Sequence, residues 1–111
     1  VITRTAGGEV TVPVTPVPPA QAVEGDPVAG AVTLPGPPGL EVGIWEHSVG
    51  TSTDVEEDEV FVVLSGRATI GVEDGPATDV GPGDVVTLRA GTRTTWTIHE
   101  PLRKVFVVAA G

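Results

Sequence analysis

The sequence predicts an all-β fold, an antiparallel barrel or sandwich, on three observations. Fifteen Gly and eleven Pro are spread through 111 residues, and both residue types are costly inside helices, so helices have almost no room. The segments between them are short and rich in Val, Ile, Thr and Trp, several in strict alternation, which is the pattern of half-buried strands. They recur at regular spacing with no helical insert, the arrangement that an antiparallel barrel or sandwich requires.

Each segment can be justified in order. "EVTVPV" (residues 9–14) alternates and opens a region rich in Pro, with "VPVTPVPPA" and "LPGPPG" in the first forty residues. Interleaved Val and Leu make this region a set of extended edge strands, where Pro is tolerated. Residues 1–39 are therefore assigned as a Pro-rich edge segment and 40–111 as the core barrel of one domain spanning 1–111, a length suited to a single core. "LEVGIWEH" (40–47) alternates cleanly. Thr51–Ser65 is the longest stretch without Gly or Pro and contains a capping-box match, Thr53-x-x-Glu56. The β-branched and aromatic run Val60, Phe61, Val62, Val63 argues against a helix continuing through it and for a strand buried on both faces. "RATIGVE" (67–73) precedes a "DGPA" turn, and "DVVTLR" (84–89) lies between "GPG" and "AG". "TTWTIH" (94–99) and "RKVFVVA" (103–109) complete the set, separated by "EP". Gly66 is expected to close a tight hairpin, and Gly83 and Gly91 to make the turns around the strand between them.

Charge excludes whole classes of partner. Six basic residues against fifteen acidic give a formal charge of −9, a field that repels nucleic-acid backbones and anionic membrane surfaces. It favours cationic or neutral ligands, weakly at physiological salt. No apolar run has the length of a membrane span, and no basic-then-apolar leader precedes the first strands, so a cytoplasmic location is expected. The absence of Met implies an N-terminus trimmed before Val1. Without Cys, disulfides, thiolate metal sites and a cysteine nucleophile are all excluded. No glycine loop suited to phosphate is present, and no G-x-S-x-G elbow supports a serine triad.

Four pieces of the chain then align with one family. Glu59 followed by "VFVVLSG", "GPGDVVTLRAG" (81–91), "TWTIHEPLRKVFVV" from Thr95, and "GIWEH" (43–47) together resemble the cupin superfamily. The likeness is to its small single-domain members of the ureidoglycine aminohydrolase type. The resemblance runs from about Glu9 to the C-terminus and implies a jelly-roll-like cupin β-barrel. Metal-binding cupins typically carry two histidines and a glutamate in a first motif and a third histidine in a second. On this chain those histidine positions fall on Ser52, Asp54 and Thr94, and only the glutamate, Glu59, remains. An Asp–Glu pair with hydroxyls is a hard-oxygen set, suited at most to weak binding of magnesium or calcium and a poor site for a redox metal, so no metal and no cofactor are expected.

The candidate residues follow from that frame. Glu59 shares strand parity with Phe61 and Val63, which points it inward, where desolvation and the neighbouring Asp54 and Glu57 would make it an acid or base. The plainer alternative is a hydrated carboxylate at the barrel mouth. Glu56, Glu57 and Asp58 are expected to form a solvated loop that guards the apolar strand behind it. Trp45 and Trp96 are either core plugs or an aromatic wall over a ligand. His47 faces the same way as Trp45 and stands either as a base near the mouth or as a surface residue. His99, of opposite parity to Thr94 and Trp96, belongs outside the site. Arg103 and Lys104 are expected to form structural ion pairs, worth little if exposed.

The sequence thus predicts a degenerate cupin barrel that binds a small polar or cationic molecule. Trp45, Phe61 and Trp96 would form the walls, and Glu59, Asp54, Ser52 and Thr94 would orient the ligand. The alternative is a cupin enzyme of aminohydrolase or isomerase type in which Glu59, with His47, moves protons. Valine-rich edges predict a homodimer.

Overall fold

The computed structural model of the chain describes residues 1–110 and contains nine strands and, among these residues, no helix. No segment is therefore a helix long and apolar enough to cross a membrane. The strands are β1 (Thr15–Pro16), β2 (Ala22–Glu24), β3 (Val28–Leu34), β4 (Leu40–His47), β5 (Gly50–Val55), β6 (Glu59–Val72), β7 (Thr78–Val80), β8 (Val85–Leu88) and β9 (Arg93–Ala109). Every pairing is antiparallel, and the strands form one curled sheet, an all-β barrel of cupin type.

β9 is the spine. One edge pairs with β6 from Glu59↔Val108 to Val72↔Thr94. The other edge pairs with β4 over Leu40↔Ala109 to His47↔Leu102 and with β5 over Gly50↔Ile98 to Val55↔Arg93. β3 and then β1 extend the sheet beyond β4, β2 lies beside β5, and β7 and β8 flank β6. Period-two alternation then decides what is inside. Phe61, Val63, Ala68 and Ile70 of β6 meet Trp96, Ile98 and Leu102 of β9 in one buried cluster, joined by Val80 and Leu88. Burial of each large side chain contributes roughly 1.5–3 kcal/mol. A cavity opens beside this cluster, with Trp96 belonging to both.

Three local expectations are corrected. Gly66 closes no hairpin: it sits inside the continuous β6, with φ +91°, and a Cβ there would lie 2.1 Å from the Pro101 carbonyl oxygen. The pairing of β6 with β9 shifts register between Val63 and Ser65 and again beyond it. The glycine therefore bends two long strands past each other. "EP" likewise breaks nothing, because Pro101 lies within β9 beside this bulge, a position where a missing N–H is tolerated. Finally, residues 9–14 form no strand, and the first pairing begins at Thr15. The segment is nevertheless fastened: Arg103 donates to the Gly7 and Val10 carbonyls at 2.7 Å each and pairs with Glu46. Gly30 has no Cβ where one would fall 1.9 Å from the Pro13 oxygen, which lets the segment press against β3.

Candidate ligand pocket

Alternation along four strands turns a small set of polar and aromatic groups toward the barrel interior. On β9, Trp96, Leu102 and Lys104 point inward; β4 contributes Trp45 and His47, β6 Glu59 and Phe61, and β5 Ser52. Trp45 and Lys104 are direct cross-strand partners.

The floor is an aromatic box around a lysine. The Trp45 and Trp96 rings lie 5.4 Å apart between centroids, and Phe61 and Trp96 5.6 Å. Lys104 Nζ sits 4.2 Å from the Phe61 centroid, 4.7 Å from Trp45 and 4.8 Å from Trp96. It donates to Glu59 Oε2 at 2.6 Å, and the residue is only 5% exposed. Desolvated cation–π contacts are worth about 2 kcal/mol, so this pair is a built element of the site. Glu59 thus meets an ammonium and not the crowd of carboxylates its sequence neighbours implied.

The acidic run divides into separate roles. Glu56 is buried, against the expectation of a solvated loop: its Oε2 accepts from Thr94 Oγ1 at 2.6 Å and from Trp96 Nε1 at 3.0 Å. Its backbone is pinned to the neighbouring turn, Glu56 N–H to the Thr92 carbonyl at 2.9 Å and Gly91 N–H to the Glu56 carbonyl at 2.8 Å. Asp58 accepts from the Ala90 N–H at 3.0 Å, which fixes the same turn from outside. Asp54 accepts from the following Val55 N–H at 2.8 Å. Partial burial, and after it the charge of Glu56, push the Asp54 carboxyl above its ordinary value. Glu57 stays at the rim, exposed.

His47 is deep in the wall and not at the mouth. Its Nδ1 lies 2.6 Å from the Ser48 carbonyl oxygen, which can only accept, so Nδ1 carries the hydrogen. Nε2 is then the acceptor for the Ser52 hydroxyl at 2.8 Å. Burial lowers the imidazole below its ordinary value, and the Ser48 carbonyl opposes this only in part, so the ring is neutral near pH 7.

Above the floor opens a cavity of about 400 Å³. Trp45, His47, Ser52, Asp54, Glu59 and Trp96 all line it, together with Glu41, Glu56, Glu57 and Lys104. Thr15 to Pro18 and Gln21, from the Pro-rich segment, supply one side of the rim. Phe61 and Thr94 do not reach the cavity: Phe61 supports the box from beneath, and Thr94 is buried with its hydroxyl on Glu56. His99 lies outside, bonded to Thr69. Lys104 was legible from parity, since it alternates inward with Leu102 and Phe106. Glu56 had no such signal, because it lies between strands.

The residues present do not fit a metal. Glu59 spends Oε2 on an ammonium, Thr94 its hydroxyl on Glu56, and Ser52 its hydroxyl on His47. A divalent ion at Glu59 would face a positive charge that the protein itself holds there. Among the described residues no three His, Asp or Glu side chains converge in a way that could hold one.

With this geometry in place, the chain can be set beside known proteins. Residues 39–106 match the EutQ-like cupin domain family. Among solved structures, the EutQ protein of Clostridium difficile superposes with a TM-score of 0.75 at 19% identity, covering 97% of this chain and 86% of that one. A putative ethanolamine utilization protein Q of Salmonella typhimurium gives 0.65 at 19% identity over 73% and 68% of the two chains. A DUF861 family protein of Thermotoga maritima gives 0.55 at 33% identity over 57% and 73%. At 19% identity the two EutQ structures speak for the fold alone. No curated protein matches the sequence.

Proposed function

Because the chain belongs to the EutQ-like cupin domain family, we propose that it is a cupin without metal chemistry that binds a small polar molecule carrying a cationic group. One observation carries this reading. The cavity is lined by five carboxylates, Glu41, Asp54, Glu56, Glu57 and Glu59, against a single ammonium, Lys104. Only Glu59 of the five is ion-paired among the described residues, and His47 adds no charge near pH 7. A guest ammonium is attracted by that lining and a guest carboxylate repelled. The volume suits a compact molecule.

The test is calorimetric titration with ethanolamine, glycerol and propionate, at low salt and at roughly 0.5 M, where screening is nearly complete within a few ångströms. Ethanolamine is a polar amine of suitable size and is the compound in the Salmonella relative's name. The amine should bind, more weakly at high salt, and Asp54→Asn with Glu57→Gln should lower its affinity about tenfold, the value of one moderate contact. Preference for propionate, or indifference among the three, would sink the reading.

A second reading rests on the 2.6 Å contact between Glu59 and Lys104. A proton donor and acceptor in contact within a ligand cavity are the parts of an acid–base enzyme, of the ureidoglycine aminohydrolase or isomerase type. Glu59→Gln separates the readings: lost turnover with retained ligand affinity means an enzyme, and turnover in neither form means a binding protein. Pairing into a homodimer is supported by Val60 and Val85, exposed on one face of β6 and β8. Light scattering showing a monomer at tens of micromolar, about where modest dimers form, would remove it.

A further inference from the structure

The deepest cation of the site belongs to the chain, and its surroundings are those of a receptor. Three ring faces converge on Lys104 Nζ within 4.8 Å, and a carboxylate closes the remaining side at 2.6 Å. Each ring presents the negative face of its quadrupole to the ammonium, a gain that an uncharged occupant would not receive. Glu59 is the sole hydrogen-bond partner of Nζ among the described residues.

We propose that Trp45, Phe61, Trp96 and Glu59 form an alkylammonium-recognition site whose resident occupant is the chain's own Lys104. The lysine is a tethered cation held at Glu59. Tethering is what makes the occupancy permanent. Lys104 lies mid-strand in β9, with its backbone paired to Trp45 of β4 on one side and Val63 of β6 on the other. The stem therefore delivers the ammonium at a high effective concentration, and no cation need be drawn from solution. The two side chains are 6% and 13% exposed, so the pair is shielded from salt. Lys104 is thus a positioning residue: it holds Glu59 and the three rings in register beneath whatever binds at the rim. The assignment concerns the floor and does not depend on the identity of the rim ligand.

Removing the tether should convert the seat into an open receptor. The experiment adds n-butylammonium, which reproduces the lysine side chain, to Lys104→Ala and to the wild type. Thermal midpoint and tryptophan fluorescence are followed. Trp45 and Trp96 are the two tryptophans of the chain and both belong to the box, so emission reports on the seat itself. In Lys104→Ala, n-butylammonium should raise the midpoint and change the emission saturably, whereas n-butanol and sodium should not. The wild type, in which Lys104 fills the seat and leaves only the carboxylate rim open to an amine, should respond much more weakly. Adding Glu59→Gln to Lys104→Ala should weaken the response about tenfold, as expected for a lost charge-assisted hydrogen bond. If Lys104→Ala is unfolded alone, folding restored by n-butylammonium and not by n-butanol is the same result in another form. No saturable response and no restoration, or an equal response in the wild type, overturns the assignment.

Discussion

Trp96 donates its indole N–H to Glu56 across 3.0 Å, and Thr94 donates to the same carboxylate oxygen across 2.6 Å. A loop residue is thereby bound to the start of β9. Glu56→Ala removes the shared acceptor and leaves the indole N–H only Thr94 Oγ1 at 3.1 Å and the Thr94 hydroxyl only the Asp54 carbonyl at 3.5 Å. This should cost about 2 kcal/mol, while Glu56→Gln keeps an accepting oxygen and should cost about 1 kcal/mol. Urea unfolding of the two variants checks the order. Equal costs would show that the carboxylate's charge matters and its acceptor geometry does not.

Gly66 and Gly83 both have positive φ, of 91° and 88°, yet their surroundings differ. A Cβ at Gly66 meets the Pro101 carbonyl at 2.1 Å, and one at Gly83 meets nothing within 4 Å. Gly83→Ala should therefore cost only the backbone term, about 1 kcal/mol. Gly66→Ala adds a backbone clash and should cost about 4 kcal/mol or more, or prevent folding. Comparable melting points for the two would refute the role assigned to the bend.

His47 supplies a pH dependence of definite sign. Burial holds its folded-state value below the ordinary 6.5, so the unfolded chain takes up the proton first as pH falls. Its contribution to stability is complete above 6.5 and is lost as pH drops through the folded-state value. Urea midpoints of the wild type should fall over this window more steeply than those of His47→Gln. Parallel curves would mean that the imidazole titrates in the fold as it does in the unfolded chain, against the burial described.

Asp54 acts in the opposite sense. Its folded-state value is raised above 3.8 by burial and Glu56, so its stabilising contribution is present below 3.8 and is lost as pH rises through the folded-state value. Asp54→Asn should be more stable than the wild type at neutral pH and no more stable under acid conditions. The same substitution weakens the rim's attraction for an amine. Stability gained at the expense of binding is the pattern expected of a functional carboxylate, and a loss of stability at neutral pH would contradict it.

Sequence reasoning reached the parts of this molecule that depend on period two. "LEVGIWEH" is β4 residue for residue, parity points Glu59 inward with Phe61 and Val63, and it sets His47 on the same face as Trp45. It failed where the chain departs from local rules. Gly66 has the signature of a turn, but its freedom is spent on a close approach to Pro101, thirty-five positions away in sequence, which no local pattern contains. Glu56 was read with its acidic neighbours as solvated. Its burial is set by two donors on β9 that lie about forty residues further on. Arg103 and Lys104 do form the ion pairs their setting among carboxylates implies, with Glu46 and Glu59, but the Lys104 pair is buried, which the sequence does not show. Which carboxylate a lysine meets, and whether water is present, are properties of the closed barrel.

The seventeen residues of β9 touch β4, β5 and β6, and this has a consequence for how the protein is made. β9 is the last strand in chain order, so the three strands that it joins emerge from a ribosome before their common partner exists. Until then they present bare, valine-rich edges that invite pairing between chains. Closure also depends on contacts between distant parts of the chain, which slows folding relative to proteins built from neighbouring contacts. A nascent chain halted before Arg93 has neither a barrel nor a pocket floor, since Trp96 and Lys104 arrive together with the strand that completes the sheet.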